Sequence, residues 1–499
     1  MIREENVRII FGLKLKHLRH EQEMSLSALS KKSGLSPSYL NEIEKGKKYP
    51  KTEKIVALAN VFGVSYDDMV SLKLPGSMSA ISDLLLSNII NDLPLHMFGF
   101  DLSRMVEWMA DSPKQVGAFM STIVEIARNY DMRKEQFYFA ALRSYQEVND
   151  NYFEDLEEAV KQFIDEFGGD VKNIIRYKEI LAILIERYNY EVREFDVQEF
   201  PELAASRYAF IPGPPKNVLL LNADLNENQR LFIVGRELSY QISNVQERPH
   251  HSLLVEVPSF EHILNNFNAA YCAAAVLMPK EHIIKDIETF LKMRSFDGDF
   301  LLKILTKYQV APEILFHRMT NILPKFFGIR QLFFIRIQNN AHTEVYDVTR
   351  ELHLSTLHSP HGNEKSRHYC RRWIAVKILK QLSALQRADN QSGPIISAQR
   401  VRYIDSGNDY FCISISRPMA PTPDQNASVT IGFEINTAFK KNCNFWDDTN
   451  VPEADVNETC ETCRLEDCKE RAAEPVIYAK RKRVQEIRKA MERLKKKEG

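Results

Sequence analysis

The 499-residue sequence predicts a multidomain fold: an all-α N-terminal domain, a helical connector, an α+β middle domain and an α+β C-terminal domain. Three observations carry that expectation. Apolar residues recur at helical spacing through the N-terminal region, strand-like runs alternate with helical ones from Tyr190 onward, and three of the seven cysteines crowd together between Cys460 and Cys468. A prior of about 150 residues per domain agrees with such a division. The expected boundaries are 1–73, 74–150, 151–300, 301–475 and a basic helical tail over 476–499.

The stretch SLSALSKKSGLSPSYLNEIEKG, Ser25 to Gly46, reads as two short helices joined by a glycine turn. Leu26 and Leu29 open an amphipathic helix, Gly34 supplies the turn, and Ser36-Pro37 gives the second helix an N-cap followed by proline at its first position. Leu40 and Ile43 face inward, which leaves Ser38, Tyr39, Asn41, Glu42 and Lys45 outward, as a helix reading the major groove requires. Lys47 and Lys48 follow where phosphates would lie. The candidate DNA-contacting set is therefore Ser36, Pro37, Ser38, Tyr39, Asn41, Glu42, Lys45, Lys47 and Lys48. Flanking stripes at Val7, Ile10, Leu13, Leu15 and Leu18, and at Ile55, Leu58, Ala59 and Phe62, predict further helices. The segment resembles the Xre, or Cro/repressor-like, DNA-binding domains, which implies double-stranded operator DNA as partner.

Charge supports a local rather than distributed nucleic-acid contact. The formal net charge is −1, yet residues 1–75 carry 13 Lys+Arg against 9 Asp+Glu and residues 476–499 carry 10 against 3. The middle is correspondingly acidic. The opening MIREENVRII lacks the long apolar core of a secretory signal, and the most apolar run, Ala269 to Met278, is half the length that spans a bilayer. A cytoplasmic protein with no membrane association is expected.

Residues 76–150 read as a helical connector, with Ile81, Leu84, Leu85, Ile89 and Ile90 at helical spacing. Helix is expected over Ile174 to Tyr188 and Asn226 to Ser243, and strand over Tyr190 to Phe195 and Asn217 to Leu221. Beyond residue 325, Gln331 to Ile337, Tyr410 to Ser416 and Val429 to Ile435 are β-rich and Lys365 to Leu385 helical.

A strand ending NVLLLN at Asn222 precedes a helix that reads Arg236-Glu237-Leu238-Ser239-Tyr240. In zincins that position carries H-E-x-x-H, two zinc-holding histidines one turn apart with glutamate as base. With AAYCAAAVLMP at Ala269 to Pro279, the segment resembles the ImmA/IrrE metallopeptidases, whose third ligand position falls at Asn268 or nearby Asn266. Arg236 has no lone pair to offer a cation, Tyr240 is a poor zinc ligand and asparagine a weak one. A zincin-like pseudopeptidase with no catalytic residues, not an enzyme, is expected. Glu237 would then serve a buried ion pair with Arg236 or another base.

Cys460, Cys463 and Cys468 have C-x2-C-x4-C spacing, which lets three thiolates converge on an iron–sulfur cluster or zinc. Cys370 and Cys443 are the candidates for a fourth ligand, whereas Cys412 and Cys272 read as core residues. The Xre domain, the ImmA/IrrE-like middle and this motif with an upstream Cys370-x-x-Trp373 together resemble the short-chain fatty acyl-CoA-responsive regulators of bacterial acetate and propionate metabolism. That resemblance implies a [4Fe-4S] cluster held by Cys370, Cys460, Cys463 and Cys468, with zinc the alternative, and a short-chain acyl-CoA effector. Arg371 stands where that family often has proline. Arg371, Arg372, Lys377, Arg400 and Arg402 could supply cations for the effector's phosphates, and are not assigned as a site.

In the tail, Val484, Ile487, Met491 and Leu494 form one stripe of a basic helix. The combined expectation is a homodimeric, sequence-specific transcriptional regulator that senses acyl-CoA, redox state or both. The alternatives are an ImmA-like metallopeptidase acting on a repressor, and a phage- or antitoxin-type repressor with no small-molecule sensing.

Overall fold

The computed structural model describes residues 4–74, 122, 134–166, 175–252, 257–354, 367–388, 393–419, 422 and 424–498. Two compact units divide the chain, Met1–Tyr145 with Glu256–Leu264, and Gln146–Val255 with Asn265–Gly499.

The first unit holds five consecutive short helices, α1 (Glu4–Glu21), α2 (Leu26–Ser33), α3 (Pro37–Glu44), α4 (Thr52–Phe62) and α5 (Tyr66–Val70). Their ends are written locally. Ser25 Oγ accepts from Ala28 N–H at 3.1 Å and Ser36 Oγ from Tyr39 N–H at 3.3 Å, so each helix of the motif begins on a serine cap. Gly34 closes α2 at φ +72°, a conformation that glycine adopts without the Cβ penalty. Phe11, Leu15, Leu29, Leu40, Ile43, Leu58 and Phe62 share one core. A Cβ on Gly12 would lie 2.3 Å from the Ile43 carbonyl oxygen, so glycine sets how closely α1 approaches α3. The expected connector falls largely outside the described residues; α6 (Lys134–Val148) lies within them.

The second unit follows with α7 (Glu154–Glu166) and α8 (Tyr177–Glu186), then β1 (Tyr190–Phe195), β2 (Tyr208–Ile211), β3 (Asn217–Asn222) and α9 (Glu227–Ile242). The three strands form a sheet in the order β1-β3-β2, with β1 parallel and β2 antiparallel to β3. Asn226 caps α9 through a reciprocal bond with Gln229. Helices α10 (Phe260–Leu277), α11 (Lys280–Leu291), α12 (Gly298–Tyr308) and α13 (Pro312–Ile322) come next.

A second sheet is built from β4 (Leu332–Asn340), β5 (Asp347–His353), β6 (Ile395–Tyr403), β7 (Asp409–Pro418), β8 (Gln425–Glu434) and β9 (Glu453–Val456) in the order β5-β4-β8-β7-β6-β9. Helix α14 (Ile374–Arg387) lies between β5 and β6 in the chain, and the short α15 (Thr437–Asn442) follows β8. Phe333, Ile335, Tyr410 and Cys412 pack with α14, while their neighbours Phe334, Phe411 and Ile413 join the core that contains α11 to α13. Both faces are therefore covered, which explains why these strands read as continuous apolar runs. That larger core runs from Val160 to Val451, across residue 300. The basic tail is helix α16 (Val476–Glu498), with Val484, Ile487, Met491 and Leu494 exposed.

Candidate functional site

Helix α3 presents Ser36, Pro37, Ser38 and Asn41 to solvent, with Lys47 and Lys48 exposed just beyond it. Tyr39, Glu42 and Lys45 are half-buried rather than fully outward. The Lys54 ammonium sits 4.2 Å from the Tyr39 ring centroid, and Lys48 Nζ pairs with Glu42 at 2.7 Å. Behind the presented face, Arg19 Nε donates to Glu44 Oε1 at 2.6 Å and its NH2 group to Oε2 at 2.9 Å, a buried fork that joins α1 to α3. No periodicity in the sequence marked that pair.

The zincin ligand positions come together but are occupied by one another. The Arg236 guanidinium donates to Tyr208 Oη at 3.3 Å, to Tyr240 Oη at 3.1 Å and to Asn266 Oδ1. Asn266, not Asn268, is thus the residue that faces Arg236 and Tyr240. Glu237 pairs with Arg248 at 2.7 Å, which settles the expected ion pair on Arg248 and not on Arg236. Tyr190 Oη donates to Glu237 Oε2 at 3.2 Å, and Gln241 Nε2 donates to Tyr190 Oη at 2.8 Å. Burial raises the Glu237 pKa against the pull of Arg248 and Arg236. Arg236, at one of the expected ligand positions, thus bonds the residues at the other two, and Glu237 is engaged in a network of its own.

The cysteines sort into two groups. Cys272 and Cys443 are wholly buried in the large core and Cys412 in the α14 layer. Cys370, Cys460, Cys463 and Cys468 all line one cleft, so Cys370 rather than Cys443 joins the C-terminal motif. Local backbone bonds hold them there: Cys370 N–H donates to Glu458 O at 3.0 Å, and Cys460 N–H to His368 O at 2.8 Å. A bridge between Tyr369 and Thr459 ties the two segments, and Ala472 N–H reaches Cys460 Sγ at 3.4 Å. Burial pushes the Cys370 thiol up to about 11. Among the described residues, no three His, Cys, Asp or Glu side chains stand as a group that would hold a single metal ion. The cysteine-only donor set is of the kind that holds an iron–sulfur cluster. Arg371, Arg372 and Arg471 line the same cleft and would offset its negative charge.

Of the cations expected for an acyl-CoA effector, Arg371 and Arg372 share the cysteine cleft and Lys377, Arg400 and Arg402 do not line it. Arg371 donates to Glu344 O at 2.9 Å, Arg400 pairs with Glu453 at 2.7 Å, Arg402 pairs with Asp409 at 2.8 Å, and Lys377 is exposed on α14. A different set of arginines, Arg207, Arg336 and Arg417, lines a cleft beside Glu313. They come from three distant parts of the chain, and sequence patterning held no signal for them.

The fold agrees with the comparisons. Residues 15–69 match the helix-turn-helix family and residues 185–320 the IrrE N-terminal-like domain. The chain therefore couples a helix-turn-helix domain to an IrrE-like domain and a sheet-containing C-terminal region. No curated protein matches the chain. One solved structure similar to it is a Mycobacterium tuberculosis transcriptional regulator, at 18% identity and a TM-score of 0.46, covering 67% of this chain and 94% of that one. Among the described residues no helix is long and apolar enough to cross a membrane.

Proposed function

We propose that this protein is a cytoplasmic transcriptional regulator that binds double-stranded operator DNA as a homodimer and responds, through its C-terminal region, to a short-chain acyl-CoA, to redox state, or to both. The observation that carries the reading is α3: a serine-capped helix with Ser38 and Asn41 exposed and Lys47 and Lys48 just beyond, inside a segment that matches the helix-turn-helix family. Two such helices would meet half-sites about one DNA turn apart, so a ligand that changes their spacing or orientation changes operator affinity. Control of acetate and propionate metabolism is what the family resemblance, which runs over most of the chain, implies.

The IrrE-like domain acts here as a scaffold rather than a peptidase. Arg236 brings a fixed charge where a peptidase has a ligand, and Glu237 is committed to Arg248 and Tyr190. In the C-terminal region, Cys370, Cys460, Cys463 and Cys468 would hold a four-iron cluster, which when bound supplies one-electron redox chemistry. The His368 and Cys370 segment and the Glu458 to Cys460 segment are joined by backbone bonds, so a change at the cleft is passed to both.

The test has two arms. Asn41→Ala should weaken specific operator binding by about 1–3 kcal/mol with the fold intact; unchanged affinity would remove α3 as the reading helix. Iron and acid-labile sulfide should be present after anaerobic purification, be lost in Cys463→Ser and Cys370→Ser, and be retained in Cys443→Ser. Zinc in their place would make the cleft a structural clip, and retention in Cys370→Ser would remove that residue from the ligand set.

A further inference from the structure

We propose that the cleft lined by Arg207, Arg336 and Arg417 is a binding site for a phosphoryl oxyanion. Arg207 precedes β2, Arg336 lies on β4 and Arg417 near the end of β7, and Glu313 enters from the first turn of α13. The cleft is partly open to solvent.

Positive charge outweighs negative at this cleft. Arg19, Arg248 and Arg318 each face a carboxylate of their own: Glu44, Glu237 and Glu157. At the cleft, by contrast, Glu313 is the carboxylate for several guanidiniums. Arg350 takes one oxygen of it at 3.1 Å and Arg336 stands 3.4 Å from the other. The side chains of Arg207 and Arg417 make no hydrogen bond or ion pair among the described residues, although both are half-buried. Arg336 donates through its terminal nitrogens to Thr349 Oγ1 at 3.3 Å and Met419 Sδ at 3.6 Å, and its buried Nε faces Glu313 without a hydrogen bond. Guanidinium cannot shed its proton to escape this crowding, and a sequestered charge without a partner is costly.

The missing partner is anionic, and its charge must be more than one. Three lining arginines against one carboxylate leave an excess that a single carboxylate ligand would neutralise only in part. A phosphoryl group offers two charges or nearly so and several acceptor oxygens, the geometry to which guanidinium forks are suited. The N-terminus of α13 adds to the attraction, since Ala311 gives it no side-chain cap. Burial lowers the pKa of both Arg207 and Arg417, as expected for cations short of counter-charge. An oxyanion here would tie the segment before β2 to the second sheet. The inference concerns this cleft alone and stands whether or not the effector is an acyl-CoA.

Calorimetric titration of the full chain with inorganic pyrophosphate tests it, with acetate at matched ionic strength as the comparison. Pyrophosphate should bind once per chain and raise the melting temperature, and acetate should not. Arg417→Gln and Arg207→Gln should each weaken pyrophosphate binding about tenfold or more. Without ligand their melting temperatures should hold or rise, because like-charge repulsion is relieved. Arg294→Gln, an exposed residue outside the cleft, should bind as the parent does. Tighter binding of ADP than of pyrophosphate assigns the phosphoryl group to a nucleotide, and equal binding assigns it to the free anion. Absence of pyrophosphate binding, equal binding of acetate, or undiminished binding in both cleft variants overturns the proposal.

Discussion

Glu237 and Arg248 form an ion pair at 2.7 Å with side chains only 1% and 4% exposed, inside a helix position that a metallopeptidase would give to its catalytic base. The Arg248 guanidinium also lies 3.6 Å from the centroid of the Phe210 ring and donates to Tyr190 at 3.1 Å. Removing one charge leaves the other buried and alone, so Arg248→Met should lower stability by about 3–5 kcal/mol. The double variant Glu237→Gln with Arg248→Met should recover most of that loss. Urea unfolding of the parent, single and double variants measures the difference; equal losses in single and double variants would show that packing, not the uncompensated charge, accounts for the effect.

Gly12 on α1 lies against the backbone at the end of α3, where an added Cβ would meet the Ile43 carbonyl oxygen at 2.3 Å. Backbone cannot step aside as a flexible side chain would. Gly12→Ala should therefore cost about 1–3 kcal/mol through overpacking, even though alanine favours helix. Because α3 is the proposed reading helix, operator affinity should fall as well. A variant that melts with the parent would show that the two helices separate at little cost.

The two lysines after α3 should behave differently in salt titrations. Lys47 has an exposed side chain with no acidic partner among the described residues, whereas Lys48 is paired with Glu42 at 2.7 Å. Lys47→Gln should reduce the slope of log affinity against log salt by about one if it meets a phosphate. Lys48→Gln should change it less, since that ammonium already has a counter-charge, and should release Glu42. Equal slopes in both variants would place the phosphate contacts elsewhere.

What could be read from the sequence was what is local. Ser25, Gly34, Ser36 and Pro37 lie within a dozen residues, and each acts on its own helix end, so the structure has α3 where caps and spacing put it, Pro37–Glu44. Strand β1 runs Tyr190–Phe195 as expected, while α14 begins at Ile374, later than its apolar pattern predicts. Trp373 sits at its N-cap, after the backbone turn that aims Cys370 at the cleft. The partner of Glu237 was out of reach because Arg248 lies beyond the end of α9, outside any helical register. Arg207, Arg336 and Arg417 were further still from legibility. Each is an ordinary surface-type residue in its own segment, and only the packing of α13 against the second sheet gives them a common cleft.

Acid should loosen the packing around α13 before most carboxylates titrate. Burial, and next the Arg350 guanidinium, lower the His317 pKa from 6.5 to about 4, against the opposing pull of Glu313. Its ring packs 4.3 Å from the centroid of Phe334, a contact suited to neutral imidazole. In the unfolded chain this histidine takes a proton near pH 6.5, whereas the folded chain takes it only near 4. The unfolded state thus binds more protons across that window, so stability falls as pH drops through it and this group's contribution levels off below it. Glu313 adds a later loss: although burial alone would raise its pKa, Arg350 and Arg336 outweigh that and hold it at about 2, below its usual 4.5, so its protonation costs stability as pH falls from one value towards the other. His317→Asn should flatten the first part of the urea-midpoint profile against pH and leave the second in place. A profile unchanged in that variant would mean that another group governs the early loss.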